Sequence, residues 1–255
     1  MSRVIVITGA GSGLGRALAR RFAAEGEAVV LLGRTLSKLQ AVADEIGGRA
    51  MAVSCDVSSP ASVREAFSTI AKRHAQLDVL INNAAIFMPS PMPNVEDDLI
   101  VQIINTNLTG AILCMRAALP MMQPGGHIIN VSSESVDMPF PQLGLYQASK
   151  AGLERFTMGL HHDLEPTGIR VSVVRAGAML DEGFQISGDP EVWNAFFEAA
   201  QSRGLNLLTR PGTPYEKATA IFRALIDLPP ELHVIMVAAH ARAANEEPDS
   251  HPPGV

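Results

Sequence analysis

The segment that most constrains the fold lies near the amino terminus, where an apolar strand pattern runs into a glycine-rich turn and then a helix. The strand pattern is Val4–Ile7, the turn reads TGAGSGLG at 8–15, and a helical pattern follows at 16–22. Glycines let the backbone approach a pyrophosphate, and the free N–H groups at the helix start favour an anion. This context favours dinucleotide binding over an ordinary strand-to-helix turn. The candidate cofactor-binding residues here are Gly9, Ser12, Gly13, Leu14 and Gly15.

Short β-branched runs alternate with longer helical patterns along the rest of the chain. Nearly continuous apolar strands are typical of a parallel sheet covered on both faces, and their alternation with helices indicates right-handed crossovers. We therefore predict a single Rossmann-like, doubly wound α/β domain over residues 1–240, with about seven parallel strands. The predicted strands are Val4–Thr8, Val29–Leu32, Ala50–Val53, Val79–Ile81, His127–Val131, Arg170–Val174 and Val234–Val237.

Two helix starts carry capping signals. Ser59-Pro60 predicts a helix to about residue 74, and Thr213-Pro214 with Glu216 has capping-box spacing and predicts a helix to about residue 228. The irregular stretch 177–210 is long for a connection and is interpreted as a lid over a substrate pocket. Residues 241–255 are polar and proline-rich and are interpreted as a loose tail.

Composition narrows the class of protein. A chain of 255 residues suits one α/β domain, and a net charge of -6 without a basic stripe argues against nucleic-acid binding. Two widely spaced cysteines suggest neither a disulfide framework nor a metal site, so no metal is expected. We find no secretion signal and no run of about 20 apolar residues, and so expect a cytoplasmic protein without a membrane partner.

The end of the second strand bears on the choice of cofactor. An NAD enzyme usually has an acidic residue there for the ribose 2′-hydroxyl. This chain has Gly33 and Arg34 instead. A guanidinium suits a 2′-phosphate, so Arg34 favours NADP(H), with NAD(H) still possible. The alternative is that Arg34 is a solvated loop residue.

Tyr146 and Lys150 are four residues apart in a helical pattern, which puts both on one helical face. A nearby ammonium would lower the pKa of a phenol, so Tyr146 could exchange a proton with an alcohol or carbonyl oxygen while hydride moves to or from a nicotinamide. Ser132 and Ser133 follow the strand at 127–131 and could orient that oxygen. An isolated YxxxK match is weak evidence, but here it follows the glycine turn and a serine in order.

Taken together, these motifs resemble the short-chain dehydrogenase/reductase family. TGAGSGLG at 8–15 matches its TGxxxGxG, and YQASK at 146–150 matches its YxxSK. Further matches are CDV at 55–57, NNAA at 82–85, NTNLTG at 105–110 and IINVSS at 128–133. The resemblance runs from residue 3 to about 177.

The resemblance implies residue roles. In this family pattern Tyr146 is the acid/base, and Lys150 holds the ribose hydroxyls and lowers the pKa of Tyr146. The pattern also favours Ser133 over Ser132 as the residue that positions the reacting oxygen. It gives Asn107 the task of keeping a helix irregular and supporting a water relay to Lys150, although a helix-capping or turn asparagine would look the same. The further cofactor contacts that it implies are Asp56, Val57, Asn83, Gly177 and Met179.

Three departures from the family pattern stand out. Ala176-Gly177 replaces its Pro-Gly, Ala85 replaces the glycine of NNAG, and its glycine-rich carboxyl-terminal ending is missing. The first two changes bear on the local geometry of the cofactor site, and the third bears on the subunit packing near the carboxyl terminus. A homodimer or homotetramer built on the helices around 99–122 and 146–164 is still expected from the resemblance.

The predicted activity is interconversion of a ketone and a secondary alcohol. Possible pocket walls are mostly apolar and indicate a neutral substrate: Phe87, Met88, Met138, Met179 and Phe184. The nearby acids argue against an anionic one: Glu134, Asp137, Asp181 and Glu182. Trp193, Phe196 and Phe197 could equally line the pocket or pack the lid. The alternatives are a catalytically silent NADP(H)-binding redox sensor and a dehydratase or epimerase, the latter disfavoured by the short chain.

Overall fold

A computed structural model describes residues 2–138, 140–179, 188–207 and 209–241 of the chain. Within these residues, a single parallel sheet of seven strands has the order β3-β2-β1-β4-β5-β6-β7. The prediction of a Rossmann-like, doubly wound α/β fold is confirmed. The strands are β1 Val4–Thr8, β2 Ala28–Gly33, β3 Ala50–Ser54, β4 Leu77–Asn82, β5 Met122–Ser133, β6 Arg170–Ala176 and β7 Met236–Ala239.

Helices cover both faces of the sheet and bury its apolar side chains in two large core clusters. The helices are α1 Gly13–Ala24, α2 Leu36–Ile46, α3 Pro60–Ala71, α4 Asp97–Ile104, α5 Gly110–Ala118, α6 Gly144–Leu164, α7 Pro190–Gln201 and α8 Tyr215–Asp227. The strand order reverses between β1 and β4, so a crevice opens there at the carboxyl ends of the strands, where ligands of such folds bind.

The two predicted helix starts differ in outcome. Ser59 caps α3, because its hydroxyl accepts a hydrogen bond from the Ser62 N–H at 3.3 Å. The predicted capping box at Thr213 is wrong. Thr213 forms an isolated parallel bridge with Met179 and its N–H donates to the Ala178 carbonyl at 2.9 Å, so α8 begins only at Tyr215.

Strand boundaries also differ from the sequence prediction. β5 begins at Met122, five residues before the predicted start, because Met122 pairs with Leu77 across an irregularity in the β4–β5 register. β7 is displaced two residues toward the carboxyl terminus, since its pairing with β6 runs from Met236 to Ala239. Side-chain periodicity cannot fix such boundaries when both faces of a strand are covered.

One helical stretch passes a test of length and hydropathy for a membrane span, although polar residues interrupt it and it is not a continuous apolar run. Asp97–Met121 is helical over 25 residues and contains an 18-residue window with a mean hydropathy of 1.3, so it passes that test by length and composition alone. This stretch joins α4 to α5 through a π-helical turn at Asn105–Thr109. It packs against α3, β4 and α6, and we interpret it as part of the layer of helices that covers the sheet.

Candidate active site

The glycine turn has the shape of a phosphate cradle. Gly9 has φ +67°, and a Cβ on Gly15 would collide with the Gly9 carbonyl oxygen and lie 2.7 Å from Asn83 Nδ2. Ser12 has extended backbone before the first turn of α1, that turn contains no acidic residue, and no side-chain capping bond from Ser12 is found among the described residues. The first N–H groups of α1 thus have no side-chain cap from Ser12, and such groups at a helix start favour an anion such as a pyrophosphate.

Two cations lie beside the glycine turn, one after β2 and one at the start of α2. Arg34 follows β2 and is exposed, and its guanidinium makes no hydrogen bond or ion pair with any residue that the structure describes. Lys38, on the first turn of α2, packs against the same turn: a Cβ on Gly11 would lie 3.2 Å from Lys38 Cβ. Sequence reasoning missed Lys38, although its position four residues after Arg34 in a helix was a usable signal.

Asn83 connects β4 to the glycine turn. Its Nδ2 donates to the Thr8 carbonyl oxygen at 2.9 Å, and its N–H donates to Thr8 Oγ1 at 2.9 Å. Asn83 therefore fixes the shape of the glycine turn through bonds to β1.

The loop after β3 is ordered by Asp56. Its carboxylate accepts two hydrogen bonds from Ser58, from the N–H at 3.0 Å and from Oγ at 2.7 Å. Val57 is buried there against Gly110.

Ser133 and Tyr146 meet at the carboxyl end of β5. Tyr146, near the start of α6, is buried, and burial raises the pKa of its phenol to about 12. A hydrogen bond with Ser133 lowers that pKa, whereas the carboxylate of Glu134 raises it further. Ser132 is engaged elsewhere, since its Oγ donates to Glu154 Oε1 at 2.6 Å. Of the two serines, Ser133 is the one beside the phenol.

Lys150 lies one helical turn after Tyr146 but is held by the strand. Its Nζ donates to the Val131 carbonyl oxygen at 2.7 Å and lies 5.8 Å from the centre of the Tyr146 ring. Burial lowers the pKa of Lys150 to about 8, an effect that Glu154 opposes. Burial is the largest influence on the pKa of Tyr146 in this arrangement, and a lowering of that pKa by Lys150 stays a prediction.

Asn107 lies in the π-helical turn and is almost fully buried. Its Oδ1 accepts from the Ile86 N–H at 2.7 Å, and its Nδ2 donates to the Ile86 carbonyl at 3.0 Å and to Ser149 Oγ at 3.1 Å. Asn107 thus joins the loop after β4 to the helix that carries Tyr146 and Lys150. The irregular helix expected at this residue is present.

The segment after β6 explains the loss of the family's proline. Ala176 pairs with Ser133 on one side and with Ala239 on the other, so it extends the strand where a proline would remove a donor. The Gly177 N–H donates to the Ala239 carbonyl at 2.8 Å, and Met179 pairs with Thr213. The replacement at Ala85 is also accommodated, because among the described residues other than glycine only Gln142 has positive φ.

Aromatic side chains cover the Tyr146 ring. The edge of Phe87 lies 5.0 Å from it between ring centres, and Trp193 lies 5.6 Å from Phe87. Phe87 is 44 % exposed, whereas Trp193 and Phe196 of α7 are buried. Packed residues around this cluster include Phe140, Leu143, Met138 and Phe197. Met88 is close by, since a Cβ on Gly188 would lie 3.1 Å from its methyl group. Phe184, Asp181 and Glu182 lie outside the described residues.

Two charged clusters next to the site escaped sequence reasoning. Glu134 is buried and binds Arg210 and His240, and Glu154 is buried and binds Arg175. The sequence named Glu134 as an acid near the pocket but did not predict its partners, because burial and ion pairing depend on the tertiary structure. The structure describes no cluster of three or more potential metal ligands in the ranges given above, and the adjacent His161 and His162 contact each other at the end of α6.

The fold and the site define an α/β protein with a Rossmann-like dinucleotide crevice and a Ser–Tyr–Lys set beside it. The family model for short chain dehydrogenases matches residues 3–186. The chain belongs to the short-chain dehydrogenase family of oxidoreductases.

Two curated relatives illustrate this similarity. The chain is 34 % identical over 196 residues to the NADP-dependent 3-hydroxy acid dehydrogenase YdfG of Salmonella typhi, covering 74 % of this chain and 78 % of that protein. It is 37 % identical over 177 residues to a 3beta-hydroxysteroid dehydrogenase of Mediterraneibacter gnavus, covering 68 % of this chain and 64 % of that protein.

Solved structures give the same assignment. A short-chain dehydrogenase from Streptomyces avermitilis aligns with a TM-score of 0.80 at 28 % identity, covering 93 % of this chain and 87 % of the other. A metagenomic short-chain oxidoreductase in complex with NADP aligns with a TM-score of 0.77 at 26 % identity, covering 95 % of this chain and 98 % of the other.

Proposed function

We propose that this protein is an NADP(H)-preferring oxidoreductase that interconverts a ketone and a secondary alcohol, with Tyr146 as the acid/base. The observation that carries the proposal is the meeting of Ser133, Tyr146 and Lys150 at the carboxyl end of β5, on the same edge of the sheet as the glycine turn. A catalytically silent redox sensor would have no need of a buried acid/base set at this place.

The cofactor is assigned as NADP(H), with NAD(H) as the alternative. NADP(H), when bound, supplies or accepts the hydride. The glycine turn would hold the pyrophosphate, Arg34 and Lys38 would bind the 2′-phosphate, and the residues after β3 and β6 would flank the adenine and nicotinamide. Those flanking residues are Asp56, Val57, Gly177 and Met179. The NADP dependence in the name of the YdfG relative and the NADP in the metagenomic oxidoreductase support this assignment.

Tyr146 and Ser133 act on the substrate oxygen. A phenol with a pKa of about 12 is fully protonated near neutral pH, which suits donation of its proton to the carbonyl oxygen of a ketone. The Ser133 hydroxyl donates a hydrogen bond to the same oxygen and orients it. Lys150 holds the ribose hydroxyls, and Asn107 fixes the position of α6 against the loop after β4.

The pocket favours a neutral, moderately apolar ketone. Phe87 and Trp193 form an aromatic wall over Tyr146, and burial of apolar substrate surface against it would contribute to binding. We propose that 177–210, which contains α7, is a lid over this pocket. We also propose that the protein is a homo-oligomer located in the cytoplasm. Size exclusion with light scattering at micromolar concentration tests the oligomer, and a monomer would contradict it.

The test is the absorbance loss of NADPH, with NADH in parallel, across small apolar ketones and 3-oxoacyl thioesters, using wild type and Tyr146→Phe. We expect turnover with NADPH and its loss by about 10²-fold or more in the variant, since the phenol proton is removed. Tight cofactor binding by both proteins without turnover of any ketone would favour the redox sensor. A clear preference for NADH would retain the oxidoreductase but remove the role given to Arg34.

A further inference from the structure

A partly buried ion pair lies directly beside the proposed catalytic residues. Arg210, at the end of the proposed lid, donates two parallel bonds to Glu134, from Nη1 at 2.7 Å and from Nη2 at 2.5 Å. His240 Nδ1 lies 2.8 Å from the same carboxylate. The side chain of Glu134 is 6 % exposed and that of Arg210 is 26 % exposed. Bidentate hydrogen bonding of this kind is the strongest form of arginine–carboxylate contact.

The pair is close enough to the reacting atoms to matter to a substrate. Glu134 follows Ser133 in the chain, and its charge acts on the Tyr146 phenol. A Cβ on Gly177 would lie 3.4 Å from Glu134 Oε2, so the carboxylate lies under the turn where we place the nicotinamide. Arg210 therefore reaches the pocket from the side of the proposed lid.

The other cations beside the site, Arg175 and Lys150, also have hydrogen-bond partners. Arg175 donates to both oxygens of Glu154, at 2.8 Å and 2.7 Å, and also contacts Asp137. Lys150 donates to the Val131 carbonyl and is assigned to the ribose. Of these three cations, Arg210 is the one at the proposed lid, and its charge is cancelled by Glu134.

We propose that Glu134 determines the charge selectivity of the pocket: by neutralising Arg210, it makes the enzyme select neutral ketones and discriminate against substrates that carry a carboxylate. This inference rests on the proposed function. Selectivity between related substrates depends on what repels the wrong one as well as on what attracts the right one. A carboxylate that approaches Arg210 meets a guanidinium whose best donors are already used and a second negative charge beside it.

The test compares acetoacetate with its methyl ester, which is neutral and carries one more methyl group at the same end. Because the added methyl group is the same for every variant, the change in preference between variants reports on charge. The measured quantity is the ratio of kcat/KM for the ester to that for the acid, with NADPH. We expect wild type to favour the ester by about tenfold or more. Glu134→Gln, which frees the Arg210 charge and keeps the side-chain shape, should lower this ratio by about tenfold. The double variant E134Q/R210Q should restore it.

Three further variants and measurements keep the test decisive. Arg210→Gln, which removes the guanidinium and leaves His240 as the partner of Glu134, should raise the ratio. Glu45→Gln, which breaks the exposed pair between Glu45 and Arg20, should leave it unchanged. Thermal melting checks that each variant folds. The proposal is overturned if E134Q retains the wild-type ratio, or if the double variant lowers it as much as E134Q does.

Binding separates this inference from the proposed function. Trp193 is the only tryptophan of the chain and contacts Phe87, so its fluorescence reports on the pocket. If wild type reduces neither compound, the proposed function fails for these substrates. Fluorescence titrations in saturating NADP⁺ then test the charge selectivity separately. Acetoacetate binding that strengthens in E134Q and weakens again in the double variant supports it. Equal binding in all variants overturns it.

Discussion

Lys150 Nζ donates a 2.7 Å hydrogen bond to the carbonyl oxygen of Val131, two residues before Ser133 on the same strand. This bond places a buried ammonium between α6 and β5, next to the phenol of Tyr146. Strand and helix thereby fix the spacing between the serine and the lysine. A buried charge held mainly by a neutral acceptor is costly, and two consequences for stability follow from it.

Lys150→Met should stabilise the protein and abolish turnover. The folded-state pKa of about 8 lies below the ordinary value of 10.5, so folding disfavours the ammonium. The free energy of unfolding should therefore rise as pH increases from about 8 to 10.5 in wild type. At pH 7 the methionine variant, which has no charge to bury but loses one hydrogen bond, should be more stable by about 1–2 kcal/mol.

Thermal melting between pH 7 and 10.5 measures both effects. Lys72→Met, at the exposed end of α3, is the matched control and should leave stability nearly unchanged. A lower melting temperature for Lys150→Met at pH 7 would show that the bond to Val131 outweighs the cost of burial.

Acid should destabilise the fold through His127. This residue is buried in β5, and burial with the nearby charges of Arg170 and His233 lowers its pKa from 6.5 to about 3. Ser172 Oγ donates to the Val234 carbonyl, so His127 Nε2–H donates to Ser172 Oγ at 2.8 Å, while the buried Nδ1 lacks a partner among the described residues. The unfolded chain gains a proton below pH 6.5 and the folded chain does not.

Stability should consequently fall as pH drops from 6.5 toward 3. At about 1.4 kcal/mol for each pH unit, the loss at pH 4 amounts to about 3 kcal/mol. His127→Gln should reduce this slope, whereas His162→Gln on the exposed end of α6 should keep it. Urea unfolding at pH 7 and pH 4.5 is the measurement, and equal slopes in wild type and His127→Gln would sink the idea.

Arg34→Glu should shift the cofactor preference from NADPH toward NADH. Loss of a guanidinium from a 2′-phosphate removes charge-assisted bonds, so KM for NADPH should rise by about tenfold to hundredfold with little change for NADH. Arg64→Glu, an exposed substitution of the same charge on α3, controls for the change in net charge. A parallel rise of both KM values would mean that Arg34 does not read the phosphate.

Phe87→Ala should impair catalysis more than stability. The ring is 44 % exposed, so its loss should cost less than about 1.5 kcal/mol, but it packs against both Tyr146 and Trp193. We expect kcat/KM for apolar ketones to fall by about tenfold and the tryptophan fluorescence to change. Met92→Ala, 62 % exposed, should change neither. Unaltered kinetics of Phe87→Ala would place the substrate elsewhere.

Local signals carried much of the fold prediction. β1, the glycine turn and α1 could be predicted together because one short segment contains the strand, the close backbone approach and the helix start. Thr213 looked like a helix cap because its spacing to Glu216 fits a capping box. Its role was decided instead by Met179, more than thirty residues away in sequence, which pairs with it. A long-range pairing of this kind leaves no periodic signal.

The sequence by itself determined the order of strands and helices, the glycine turn and the four-residue spacing of Tyr146 and Lys150, because each depends on local backbone geometry. Only the tertiary structure decided the environment of these groups. In the folded protein Tyr146 is buried, which raises its pKa to about 12. Lys150 donates to the Val131 carbonyl, and Glu134 is paired with Arg210. The physical reason is that charge and burial depend on which distant side chains meet, and separate segments of the sequence do not specify that meeting.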